Sequence, residues 1–84
     1  MKERIILGVQ LKQGSGQALK LQQIFSKFGC VIKTRLGLND SDGEGGTQQG
    51  LIILELQGDQ SDCQHLINEL HRLEDADVQQ MNFL

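Results

Sequence analysis

Hydrophobic and polar positions alternate with a period of two from residue 4 to residue 11. Ile5, Leu7, Val9 and Leu11 share one side, and Ile6, Gly8 and Gln10 the other, which predicts a strand. Gly14-Ser15-Gly16 breaks the pattern, and Ser15 is a candidate N-cap for the next element. Over 17–28 the period lengthens to that of a helix, with Ala18, Leu21, Ile24, Phe25 and Phe28 on one face. Gly29 is expected to end that helix in the left-handed conformation. Residues 30–38 read as a second strand with Ile32, Thr34, Leu36 and Leu38 sharing a face. The stretch 39–50 carries four glycines (Gly43, Gly45, Gly46, Gly50), three acids and no apolar residue, and is expected to be a solvated loop. A third strand at 51–56 is apolar except at Glu55. Ser61-Asp62-Cys63-Gln64 matches the capping box, in which side chains satisfy the exposed N–H groups of a helix start. Cys63, Leu66, Ile67, Leu70 and Leu73 then form the apolar stripe of that helix. Asp62 near its start and His71 and Arg72 near its end suit the helix dipole. A last strand is expected over 78–84, with Met81 and Phe83 pointing inward.

The order β-α-β-β-α-β, with right-handed crossovers, predicts an α+β sandwich of ferredoxin-like type. Its four-stranded antiparallel sheet has the first and third strands central and both helices on one face. Residues 1–84 are expected to form one such domain, since a second core would have too few residues. If the alternating sets above face the helices, then Ile6, Val31, Leu51 and Ile53 point away from them. A wet sheet face should be polar there. An apolar patch rimmed by Lys33, Arg35 and Glu55 implies a covering partner, and a symmetric sheet-to-sheet dimer or higher homo-oligomer is the simplest one.

Charge narrows the list of partners. The chain has a formal net charge of −3, and its three aromatics, Phe25, Phe28 and Phe83, all sit in apolar patterns. Neither a basic surface nor a stacking platform is available, so direct nucleic-acid binding is not expected. Cys30 and Cys63 form no close pair and lie beside apolar positions, as reduced thiols do. No apolar run approaches the roughly 20 residues of a membrane span. The N-terminal run is too short for a signal peptide, which leads to the expectation of a cytoplasmic protein.

Candidate chemistry is sparse. Gly14-Ser15-Gly16 stands between a strand and a helix, where backbone N–H groups can hold an anion. It lacks the third small residue of a dinucleotide fingerprint and the Lys-Ser or Lys-Thr of a P-loop. Asp40-Ser41-Asp42-Gly43-Glu44-Gly45 imitates the start of a calcium loop, but Leu51 occupies the position of the bidentate glutamate. His65 and His71 lie about 120° apart around a helix and Cys63 belongs to the apolar stripe, so no metal site and no cofactor is expected. No nucleophile–base pair and no two carboxylates on rigid elements stand out, and a non-enzymatic protein is expected.

Val31-Ile32-Lys33-Thr34-Arg35-Leu36-Gly37 resembles a small family, the iron-only hydrogenase system regulators. These are stand-alone domains related to ACT domains and to the C-terminal domain of the nickel-responsive regulator. The shared features are an Arg-x-Gly near the end of the second strand, here Arg35 and Gly37, and an Ile/Leu-rich strand after the loop, here 51–56. The chain departs from the family pattern in its longer, acidic loop at 39–49. It also departs in Asp75-Ala76-Asp77 standing where a Pro-Gly turn is usual, and in Cys and His positions that do not match the nickel site. The resemblance implies a ferredoxin-like fold, self-association and a regulatory role in sensing a small ligand. The expected effector is an amino acid or another small anion, held by Gly14, Ser15, Gly16, Lys33 and Arg35. The competing expectation is an interaction module that assembles a larger complex and binds no small molecule.

Overall fold

A computed structural model describes residues 3–12, 16–39 and 50–83, with backbone alone at 38 and 39. Its six elements, in chain order, are β1 (Arg4–Leu11), α1 (Ala18–Lys27), β2 (Ile32–Asn39), β3 (Gly50–Leu56), α2 (Gln60–His71) and β4 (Ala76–Phe83). The strands form one antiparallel sheet in the order β2-β3-β1-β4. This is the ferredoxin-like βαββαβ arrangement expected from the periodicities, with β1 and β3 central.

The core lies between the sheet and the two helices. Leu7, Val9 and Leu54 of the central strands are fully shielded, as are Leu66 and Leu70 of α2. Leu21 and Phe25 bring the apolar stripe of α1 onto this layer, and Ile24 and Phe28 pack at its margin. The helical stripes therefore sit where a 3.6-residue period places them. Their termini differ from expectation. Gly29 does not take a positive φ, and α1 closes instead through the Phe28 N–H donating to the Ile24 carbonyl. α2 starts from an extended Asp59 at Gln60, one residue before the predicted capping box. Gln64, now inside the helix, donates to Asn68 Oδ1 at 2.9 Å rather than reaching back to a cap.

The main correction concerns which way β2 faces. Ile32 pairs with Leu56, but Thr34 already pairs with Glu55, so β2 advances two residues where β3 advances one. Such a bulge at Lys33 inverts every later side chain, because alternation has a period of two. Thr34 and Leu36 consequently lie on the open face, and Arg35 and Gly37 on the helix side. Val31, expected on the open face, is instead buried in the core. It lies just ahead of β2, its N–H bonded to the Phe28 carbonyl and its carbonyl accepting from the Gln57 N–H. β4 is inverted as well. Val78 opposite Val9 is the inward residue, and Met81 opposite Ile6 and Phe83 opposite Arg4 point outward.

Candidate functional site

The open face of the sheet can be written as rows across β2, β3, β1 and β4. Thr34, Glu55, Ile6 and Met81 form one row, and Leu36, Ile53, Gly8 and Gln79 the next. Leu51, Gln10 and Asp77 continue it towards one end, and Arg4 and Phe83 close the other. Gly8 is a low point at the centre: a Cβ there would lie 3.9 Å from Ile53 Cδ1, an ordinary contact. Leu36, Met81 and Phe83 are 53%, 56% and 52% exposed, and Ile6, Leu51 and Ile53 are half-buried. Of the residues expected on this face, Ile6, Leu51 and Ile53 lie on it, and Val31 lies in the core instead.

β4 shows the sharpest conflict with a solvated face. Its helix-side positions 80 and 82 are exposed amides, Gln80 Nε2 donating to Asn82 Oδ1 at 2.7 Å and Asn82 Nδ2 to Glu3 Oε2 at 2.8 Å. Its open-face positions 81 and 83 are apolar. The second half of the strand, residues 80–83, therefore has its amides towards the helix layer and its apolar residues towards solvent, the reverse of a free-standing amphipathic strand, whereas in the first half Val78 faces inward and Asp77 and Gln79 outward.

A charged cluster marks the Arg4 end of the face. Glu55 receives Arg4 Nε at 3.3 Å and Lys33 Nζ at 4.0 Å on Oε2, and the Thr34 hydroxyl donates to Oε1 at 3.2 Å. The bulge aims Lys33 at Glu55. Arg35, the neighbour with which Lys33 was expected to act, is carried to the other side. There its guanidinium lies over the Phe25 ring, 4.6 Å from the centroid. That is a cation–π contact worth roughly 0.5–1 kcal/mol at an exposed site.

Of the expected anion site, the described residues Gly16, Lys33 and Arg35 are not brought together. Gly14 and Ser15 lie outside the described residues, as does the acidic sequence 40–45. Gly16, at φ 70°, comes after the far end of β1. Lys33 neighbours the Ile6 row, five residues and about 17 Å along the strand from Leu11. Arg35 faces α1. The Met81–Phe83 and Leu36 contributions to the open face escaped the sequence because two equally good alternations exist for β4, and a bulge has no residue signature at Lys33. The exposure of Cys30 was also missed. Cys63 is buried, and burial, reinforced by the Asp62 and Asp59 carboxylates, pushes its thiol above the ordinary range. Among the described residues no group of three His, Cys, Asp or Glu is arranged around a common metal position. No described helix is long and apolar enough to cross a membrane.

No protein-family model matches the chain, and no curated protein is similar to it in sequence. Solved structures are similar in fold. An uncharacterized protein from Thermotoga maritima superposes with a TM-score of 0.80 at 15% identity, over 99% of this chain and 100% of that one. A dimeric ferredoxin-like protein of unknown function from Thermobifida fusca gives 0.51 at 14% identity, over 99% and 93%. CPII from Thiomonas intermedia K12, a nitrogen regulatory PII-like protein, was solved bound to ADP, AMP and acetate. It gives 0.58 at 13% identity, over 99% and 90%. At these identities the likeness establishes the ferredoxin-like fold.

Proposed function

We propose that the chain is a non-enzymatic regulatory domain that acts as a dimer paired through the open sheet face and senses a small molecule. One observation carries the dimer: β4 turns Met81 and Phe83 outward and keeps Gln80 and Asn82 on the helix side. The occupant is a second copy. Four strands at about 4.8 Å and seven residues at about 3.3 Å give a flat area near 450 Å² per protomer. Side chains standing proud of that plane bring the pair close to the roughly 1,000 Å² that specific association needs. Charge also suits a two-fold axis lying across the strands. It sets the Arg4 end of one face, where two cations share Glu55, against the Asp77 end of its mate.

The sensing half of the proposal draws on the nucleotide- and acetate-bound PII-like neighbour and on the resemblance of residues 31–37 to the hydrogenase system regulators. It is the finer and separable part. Sedimentation velocity over a concentration series tests the dimer, and a protein that sediments as a monomer at high micromolar concentration refutes it. A thermal-shift panel of amino acids, small anions and nucleotides tests sensing. A ligand at ~100 times its dissociation constant adds about 2.7 kcal/mol. A flat response across the panel from a well-folded dimer replaces the sensor with a plain interaction module.

A further inference from the structure

The helix side of the molecule holds a second feature that the open face does not explain. A hollow of about 520 Å³ lies between α1 and the end of α2. That volume lies within the range of small-molecule sites, about 300–1,000 Å³. Its floor is apolar: Ile24 and Leu73 pack on the core cluster below and remain part-exposed above. Its walls are charged. Lys20 and Lys27 stand on the α1 side, one helical turn before and after Ile24, and Arg72 stands opposite at the C-cap of α2.

The wall charges do not cancel. Glu69 is shared by Lys27 Nζ at 3.7 Å and Arg72 Nη1 at 3.3 Å, so two cations use one carboxylate. Lys27 also lies over the Phe28 ring at 5.4 Å. Lys20 is in no ion pair with a described residue. Lys20, Lys27 and Arg72 against Glu69 and Glu74 leave a surplus of one positive charge. A phosphate dianion would exceed that surplus beside two carboxylates, and a cation would meet the excess. A single carboxylate with an apolar body fits both wall and floor.

We propose that this hollow binds a small organic carboxylate, its apolar part on Ile24 and Leu73 and its oxygens between Lys20 and the Lys27–Arg72 pair. The proposal rests on the sensing half of the functional reading and names its site and ligand class, in place of the Gly14-to-Gly16 turn. It does not depend on the dimer, because the hollow and the open face lie on opposite sides of the sheet.

The test is an amide NMR titration of the intact chain with hexanoate, acetate and hexylammonium. Hexanoate is expected to give saturable shifts at Lys20, Ile24 and Leu73. Acetate, without the apolar body, binds at least about tenfold more weakly, and hexylammonium gives none there. Lys20→Glu, at an exposed position, weakens hexanoate binding at least about tenfold with the spectrum otherwise unchanged. Equal shifts with hexylammonium, shifts confined to open-face residues, or no saturation in the millimolar range overturn the site. Leu36→Asp separates the two readings: a monomeric variant that keeps the hexanoate response removes only the dimer from the response. A sedimenting dimer without any response removes only the ligand site.

Discussion

Leu36→Asp places the strongest demand on the dimer. In the lone protomer Leu36 is 53% exposed on the edge strand β2, so the carboxylate stays in water. The cost to folding is then limited to strand propensity, within about 1 kcal/mol. In the proposed dimer the same position is covered. Burying roughly 600 Å² of apolar surface across both partners at about 25 cal/mol per Å² contributes about 15 kcal/mol. Lost rigid-body freedom takes back about 4–15 kcal/mol, leaving about 0–11 kcal/mol, a span that includes the roughly 8 kcal/mol of a micromolar association. Symmetry inserts the new charge twice, and removing an unpaired carboxylate from water costs about 3–5 kcal/mol each time. Leu36→Asp should therefore raise the dimer dissociation constant more than 100-fold, by the arithmetic that 1.4 kcal/mol is tenfold. The assay is sedimentation velocity over micromolar to submillimolar protein, with thermal melts of dilute samples as the folding control. An unchanged dissociation constant with an unchanged melt would show that the open face is not the contact, however apolar it is.

Burial and side-chain contacts set three further outcomes. Leu54→Ala, at a fully shielded central position, should cost about 3–5 kcal/mol in denaturant melts, whereas Met81→Ala in dilute protein should stay within about 1 kcal/mol. Equal losses would place Met81 inward after all. Arg35→Gln should lower stability by roughly 0.5–1 kcal/mol through loss of the guanidinium–Phe25 contact, and Arg35→Gln in a Phe25→Leu background should cost much less. An additive double mutant would remove that coupling. Cys63 holds its proton more tightly folded than unfolded, so its contribution is fully present below the ordinary thiol pKa and declines as pH rises above it. Melts between neutral and alkaline pH should show a steeper alkaline decline for the wild type than for Cys63→Ala, and parallel declines would contradict the raised thiol.

The six elements, their order and the two helical stripes were legible in the sequence because each rests on a local period. Leu21 and Phe25 in α1, and Leu66 and Leu70 in α2, recur at helical spacing whatever the helix meets. Ile5, Leu7 and Val9 likewise carry their own alternation. The two edge strands were decided elsewhere. In β4, Val78 competes with Met81 and Phe83 for the inner side, and only pairing with β1 settles that Val78 opposite Val9 turns inward. In β2, one extra residue at Lys33 exchanges Leu36 and Arg35 between the faces, and nothing in the residues themselves marks it. A strand's period is a local property, but its phase is set by hydrogen bonding to a neighbour distant in sequence. The candidate sites went with the tertiary structure: Lys33 and Arg35 part company across the sheet, and the hollow beside Lys20 is lined by α1 and by the end of α2, which lie far apart in the sequence.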